Sequence, residues 1–118
     1  STNVGIGTST PNTSTKLDVN GSFKLGSSGT VLDNIIKTSI TVNPGNIAAG
    51  STVTVTATVT GAVTQASVIV NPRSALTSGL VIAYSYISSN NTITVAFTNA
   101  SFSNINPPST TFDITVMQ

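Results

Sequence analysis

A strict alternation of apolar and hydroxyl-bearing residues runs through the middle of this sequence. In residues 51–60, valine or alanine stands at every second position, and serine or threonine separates them. Because a β-strand directs successive side chains to opposite faces, this segment predicts a strand with one apolar and one hydroxyl-rich face. The alternation recurs in residues 93–97 and 112–116 and, over a shorter stretch, in residues 38–42.

Turn-forming residues separate the predicted strands at intervals of roughly 8–12 residues, which is typical of a sandwich or barrel. Asn-Pro-Gly-Asn at 43–46 and Ser-Ser-Asn-Asn at 88–91 predict a turn and a hairpin loop. Residues 67–70 and 80–87 are more continuously apolar, which predicts strands buried on both faces. We therefore expect an all-β fold, an antiparallel β-sandwich of immunoglobulin-like or jelly-roll-like type.

The composition shifts near Asn34. The first 33 residues are richer in glycine and contain only eight large apolar residues. Burial of so few side chains does not offset the conformational entropy lost on ordering such a segment. We therefore expect residues 1–36 to be ordered by other copies of the chain or by a partner, and residues 37–118 to form the compact C-terminal β-sandwich domain.

Charged residues make up only 6% of the chain, against about 25% in an average soluble domain. The four basic residues are scattered, so no basic stripe predicts a nucleic-acid partner. No window approaches the ~18 apolar residues of a membrane span, and we expect no membrane insertion. The chain lacks an initiating Met and a signal-peptide pattern, so we expect any targeting segment to lie upstream.

The inventory of catalytic and metal-binding groups is poor, since the sequence has no His and no Cys. This excludes histidine-based triads, thiol nucleophiles and the usual zinc ligands. The three carboxylates, Asp18, Asp33 and Asp113, are far apart in sequence. A glycosidase needs two carboxylates about 5–10 Å apart, and nothing local predicts such a pair. We expect no enzyme activity, no catalytic residue, no metal and no cofactor.

Tyr84 and Tyr86 are spaced by two and are expected to share one face of a strand. One interpretation is an aromatic platform for a sugar ring. The other is packing in the core or at a subunit interface, which is favoured because Leu80 and Ile82 would continue the same face.

Other candidate receptor-contact residues lie in loops, where binding residues are often placed on a rigid scaffold. Arg73, the only arginine, follows a turn and would bind an acidic saccharide or only solvate a loop. Asn90 and Asn91 belong to the predicted hairpin loop. Phe102, in the polar loop 99–104, would be an exposed contact or a cap on the core.

Two stretches resemble a known family. Residues 3–11, Asn-Val-Gly-Ile-Gly-Thr-Ser-Thr-Pro, followed by Lys-Leu-Asp-Val-Asn-Gly at 16–21, resemble a repeat of phage tail fibres and of surface proteins of Bacteroidetes-type bacteria. Residues 40–117 look like a small β domain found at the C-termini of phage tail- and head-fibre proteins. Many of those domains carry Gly-Asp before the third strand, whereas this chain has Gln65-Ala66, so any role of that acid is absent.

The resemblance implies a homotrimeric fibre with a β-sandwich tip that attaches to a host surface, often to glycans. Three intertwined chains would bury the apolar residues of an extended β stalk and remove its exposed strand edges. The candidate trimer interface is formed by Val4, Ile6, Leu17, Val19, Phe23 and Leu25.

We therefore expect a module of a virion fibre, on the tail or capsid, for host attachment or structural decoration. Its expected partners are two further copies of itself, other virion proteins through the N-terminal end, and a host glycan or protein. The alternatives are a bacterial cell-surface or extracellular adhesin module, or a carbohydrate-binding module of a longer enzyme.

Overall fold

The computed structural model describes residues 2–118 and contains β-strands, turns and loops, with no helix among these residues. Eight strands follow one another along the chain: β1 (Val4–Ile6), β2 (Leu17–Val19), β3 (Ile35–Val42), β4 (Thr52–Thr58), β5 (Ser67–Pro72), β6 (Leu80–Ser89), β7 (Thr92–Asn99) and β8 (Thr110–Met117). The predicted all-β class is confirmed.

The chain forms two compact units, residues 1–35 and 36–118, so the division falls one residue before the predicted boundary. In the N-terminal unit, β1 and β2 form a two-stranded parallel sheet in which Val4 lies opposite Leu17 and Ile6 opposite Val19. Phe23 and Leu32 form one further antiparallel bridge. A two-stranded sheet is marginally stable in water without further packing.

The C-terminal unit contains two three-stranded sheets, in the strand orders β3-β8-β5 and β4-β7-β6. Strand β7 pairs antiparallel with both of its neighbours, and β8 pairs antiparallel with β5. Only the β6–β7 hairpin joins neighbouring strands of one sheet, and the other connections between β3 and β8 pass from one sheet to the other. This arrangement matches the predicted antiparallel β-sandwich.

The core lies between the two sheets and is built from the apolar positions of the alternating segments. Strand β7 contributes Ile93, Val95 and Phe97, and β8 contributes Phe112 and Ile114, all of them fully buried. The rings of Phe97 and Phe112, one from each sheet, lie 5.6 Å apart between centroids and are tilted by 51°, a favourable aromatic geometry. The alternation in 93–97 and 112–116 thus predicted the inward faces of both central strands.

Strands β5 and β6 differ from the prediction that both of their faces are buried. In β5, Val68 and Val70 face the core, but Ile69 is exposed. In β6, Tyr84 and Tyr86 are exposed. Both strands lie at the edge of their sheets. An apolar run in such a strand still leaves every second side chain in solvent.

The two ends of the sandwich carry different loops. The end where β3 begins, called the near end, holds the β4–β5 loop (59–66), the β6–β7 turn and the C-terminal Gln118. The far end holds the β3–β4 loop (43–51), the β5–β6 loop (73–79) and the β7–β8 loop (100–109). The strand pairing places three of the five connections between β3 and β8 together at the far end.

Candidate functional site

The six residues predicted to contact a receptor lie in three separate places. Tyr84 and Tyr86 lie on the outer face of the β4-β7-β6 sheet. Arg73 and Phe102 belong to far-end loops, whereas Asn90 and Asn91 form the near-end turn between β6 and β7. These residues therefore do not form one site, and each group has to be considered separately.

The outer face of the β4-β7-β6 sheet is lined by hydroxyl groups and two aromatic rings. The antiparallel register brings four threonines of β4 and the outward positions of β7 and β6 together on this surface, here called the Thr/Tyr face. Its members are Thr52, Thr54, Thr56 and Thr58 of β4, Thr92, Thr94, Ala96 and Thr98 of β7, and Val81, Tyr84, Tyr86 and Ser89 of β6.

A β-bulge explains why the tyrosines face outward. The β6–β7 register shifts between Ile82 and Tyr84, so Ala83 is an extra residue on β6. A bulge re-aims the side chains that follow it. Leu80 and Ile82 therefore face the core, while Tyr84 and Tyr86 face solvent, and the expectation that all four share one face is wrong. Packing of the tyrosines in the core is excluded by their exposed fractions of 53% and 51%.

The two tyrosine rings are neighbours, with centroids 6.3 Å apart and planes tilted by 38°. Tyr84 lies opposite Ala96, and Tyr86 lies opposite Thr94. Ala96 is fully buried and Thr94 nearly so, although both belong to the outer face. The flanking side chains of β6 and β4 therefore lean over the central strand.

Hydrogen bonds order part of the hydroxyl array. The hydroxyl oxygens of Thr52 and Thr98 lie 2.7 Å apart across the β4–β7 pair. The Thr94 hydroxyl donates to Ser88 Oγ over 2.8 Å, and Ser88 is the extra residue of a second irregularity in β6. Each hydroxyl both donates and accepts hydrogen bonds, so the face offers both functions to a polar ligand.

The charged residues of the sandwich lie elsewhere. Lys37 is on β3, Asp113 is on β8 and Arg73 directly follows β5, so all three belong to the other sheet or its continuation. The Arg73 guanidinium donates two hydrogen bonds to the Asp113 carboxylate, one of them from Nε to Oδ2 over 3.3 Å. Hydrogen bonding from Arg73, together with the positive charges of Arg73 and Lys37, lowers the pKa of Asp113. The same hydrogen bonding and the negative charge of Asp113 raise the pKa of Arg73.

Arg73 also borders a depression of about 370 Å³ at the far end, lined mainly by small and hydroxyl-bearing residues of the β5–β6 loop, the end of the β7–β8 loop and the start of β8. Arg73 was predicted to bind an acidic saccharide or to solvate a loop. The ion pair with Asp113 gives the Arg73 guanidinium a partner within the chain. This pairing makes Arg73 less available to an acidic saccharide.

Phe102 is fully exposed at the far end and does not cap the core. Its loop is nevertheless well connected, because the buried Asn99 side chain donates to the carbonyl oxygens of Ile47 and Ser103 over 2.9 and 2.8 Å. The Asn99 Oδ1 atom accepts hydrogen bonds from the backbone and hydroxyl of Ser101. Phe102 thus projects from a loop that Asn99 holds on both sides.

Asn90 and Asn91 have structural partners at the near end. Asn91 adopts a φ of 66°, and its Oδ1 accepts a hydrogen bond from the Gly61 amide over 2.7 Å. Asn90 Oδ1 accepts a longer one from the Thr64 amide at 3.4 Å. Asn91 in particular fastens the hairpin to the β4–β5 loop, so its side-chain oxygen already has a partner.

Within the N-terminal unit, most of the candidate trimer-interface residues are exposed. Val4, Ile6 and Leu17 have 56%, 55% and 57% of their surface exposed, and they share one face of the parallel pair with the half-buried Val19. Phe23 is half-buried and bridges to Leu32, whereas Leu25 is largely exposed. The unit leaves most of its apolar residues in solvent.

The glycines of the Gly5-Ile6-Gly7 motif have a steric role. Gly7 has a φ of +73°, and a Cβ atom there would lie 2.5 Å from the Asn20 carbonyl oxygen. The positive φ and the close approach of Asn20 both require glycine. The motif therefore shapes the turn that follows β1.

Two features were missed by the sequence-based prediction. The threonine row of β4 was visible as an alternating pattern, but its combination with Tyr84 and Tyr86 depends on strand order. Asn99 carried no distinguishing signal, since it is one of many asparagines in polar segments of the chain. Its role follows only from its burial and its partners.

Among residues 2–118, no group of three or more Asp, Glu, His or Cys side chains is close enough to hold a metal ion. In the same range no helix has the length and apolar character needed to cross a membrane. Comparisons of the chain with protein-family models, with curated proteins and with solved structures give no match.

Proposed function

We propose that this chain is a module of a homotrimeric virion fibre, in which the N-terminal unit forms an intertwined β stalk and the sandwich serves host attachment or decoration. The observation that carries the proposal is the exposed apolar face of the β1–β2 pair, formed by Val4, Ile6, Leu17 and Val19. The family resemblance of the sequence supports the same assignment.

Contiguous apolar residues on a two-stranded sheet are unfavourable in water and mark an interaction surface. Other copies of the same segment present an identical apolar face, and a threefold axis allows three such faces to meet. The Val4–Leu17 and Ile6–Val19 pairs point to the same face, so each of these two pairs would contribute a layer of apolar side chains.

An attachment role is supported by the loop arrangement of the sandwich. Three connections lie together at the far end, away from the point where β3 begins. Loops that are held on a rigid β scaffold are a common location for recognition residues. The hydrogen bonds of Asn99 hold one of these loops in a defined conformation.

The test is the molar mass of the chain in solution, measured by light scattering over a range of concentrations. We expect a trimer for the unmodified chain and a monomer for the triple variant Val4→Ser/Ile6→Ser/Leu17→Ser. The control is Ile69→Ser, which removes an exposed apolar side chain from the sandwich and should leave the trimer intact. A dilution-stable monomer whose residues 2–35 are ordered would overturn the proposal.

A further inference from the structure

We infer that the Thr/Tyr face binds an uncharged saccharide, with neighbouring sugar rings stacked on Tyr84 and Tyr86. This inference deepens the attachment role proposed above and rests on it, because it names the chemical class of the receptor.

The tyrosine rings are positioned outside the core and next to each other. The Ala83 bulge turns both rings out of the core, at the cost of regular pairing with β7. Their centroids lie 6.3 Å apart, which is comparable to the spacing of adjacent rings in an oligosaccharide. The CH groups on one side of a sugar ring stack on an aromatic face, so two adjacent rings suit two adjacent sugars.

The two tyrosines lie beside Ala96 and Thr94 of the central strand β7. Ala96 and Thr94 face outward, yet they are 0% and 8% exposed. Their outward neighbours across the sheet are Tyr84 and Tyr86 on β6 and threonines on β4. Because these side chains cover β7, the tyrosine rings are supported from below and remain half exposed above. Supported rings lose little conformational entropy when a ligand binds.

The Thr/Tyr face contains no charged residue, since Lys37, Arg73 and Asp113 belong to the other sheet or its continuation. An anionic saccharide would find no counter-charge here, and a cationic ligand no carboxylate. Threonine hydroxyls donate and accept hydrogen bonds, as the hydroxyls of a neutral sugar do. The chemistry of the face therefore complements an uncharged, hydroxyl-rich ligand.

The size of the face argues against a second copy of the chain as the occupant. Three strands about 4.8 Å apart and seven residues at about 3.4 Å each make a surface of roughly 14 by 24 Å, or about 340 Å². A stable protein–protein interface needs about 800 Å² on each partner. A short oligosaccharide, by contrast, is covered adequately by a surface of this size.

The experiment uses the tyrosines as the reporter. The chain has two Tyr and no Trp, so its tyrosine fluorescence comes only from Tyr84 and Tyr86. The full chain is titrated with neutral cellotetraose, mannotetraose and chitotetraose and with anionic tetragalacturonate, and affinity is confirmed by calorimetry. We expect a saturable fluorescence change and measurable binding with at least one neutral probe and none with the anionic probe.

Substitutions distinguish binding at the Thr/Tyr face from binding at Phe102 or Arg73. Tyr84→Ala and Tyr86→Ala should each weaken binding by roughly tenfold, whereas Tyr84→Phe, which keeps the stacking ring, should retain most of the affinity. Phe102→Ala and Arg73→Ala are the matched controls and should bind normally. Circular dichroism of Tyr84→Ala checks that the variant folds, which is expected because Tyr84 is exposed.

The inference is overturned if no neutral probe binds at millimolar concentration, or if binding depends on Phe102 or Arg73 and not on the tyrosines. It is also overturned if Tyr84→Ala changes the molar mass, since the face would then be a subunit interface. The molar mass of the same samples, measured by light scattering, tests the trimer independently of saccharide binding. A monomer that binds a neutral probe contradicts the fibre alone, and a trimer that binds none contradicts the saccharide site alone.

Discussion

Asn99 Nδ2 donates a hydrogen bond to the carbonyl oxygen of Ile47 over 2.9 Å and so joins two loops at the far end of the sandwich. Asn99 is fully buried at the end of β7. Its Nδ2 also donates to the carbonyl oxygen of Ser103, and its Oδ1 accepts a hydrogen bond from the Ser101 amide. A single polar side chain thus connects the β3–β4 loop to the β7–β8 loop.

Replacement of Asn99 by Ala should destabilise the fold by about 2–4 kcal/mol, because a fully buried residue loses its four side-chain hydrogen bonds. Urea unfolding measures the change, and Asn104→Ala, in the same loop but exposed, is the control. An Asn99→Ala variant as stable as Asn104→Ala would show that water replaces the side chain without cost.

The two phenylalanines of β7 and its following loop should respond in opposite ways to truncation. Phe97 is fully buried against Phe112, so Phe97→Ala should cost about 3–5 kcal/mol of unfolding free energy. Phe102 is fully exposed, and Phe102→Ala should change stability by less than about 0.5 kcal/mol. Thermal and urea unfolding of both variants tests this, and a large loss with Phe102→Ala would contradict its placement outside the core.

Asn91 should be sensitive to substitution because of its backbone conformation and its bond to Gly61. Asn91→Ala loses the hydrogen bond and replaces Asn, which tolerates positive φ, by a residue that tolerates it less well, and about 1–2 kcal/mol of destabilisation is expected. Asn91→Gly relieves the conformational strain and should cost less. The order of urea midpoints, wild type above Asn91→Gly above Asn91→Ala, is the measurement, and a reversed order of the two variants would refute the conformational part.

The Arg73–Asp113 pair predicts a small pH dependence of stability. The pKa of Asp113 is lowered in the folded chain, so its contribution is present above the unfolded pKa and is lost as pH falls through the folded pKa. Urea midpoints of the wild type and Asp113→Asn should therefore differ at neutral pH and converge in acid. Added salt should shrink the difference, because the pair is exposed. A gap that is unchanged from neutral to strongly acidic pH would exclude this origin.

The alternating segments were predicted well because their information is local. Strand geometry alone assigns Val53 and Val55 to one face and Thr54 and Thr56 to the other. Strand β6 was predicted less well, since a bulge at Ala83 changes which residues face inward. A bulge adds one residue to one strand relative to its partner, and the partner of β6 cannot be read from β6 itself.

The candidate receptor-contact residues also show which features local sequence predicts and which depend on strand pairing. Tyr84 and Tyr86 were identified as a pair from their spacing, but their exposure depended on the bulge. Asn91 and Phe102 were both assigned to loops correctly, yet they lie at opposite ends of the sandwich. Loop positions are brought together or separated by strand order, which spans the whole chain.

The order of residues along the chain was enough to identify strands, turns, the apolar face of each regular strand and an N-terminal segment poor in large apolar residues, because these follow from backbone geometry and local composition. Only the tertiary structure decided that Tyr84 stands over Ala96 on an uncharged outer face and that Asn99 holds two distant loops. Those relationships arise from pairing between residues far apart in sequence, where many registers satisfy the same alternation and packing of the core selects one.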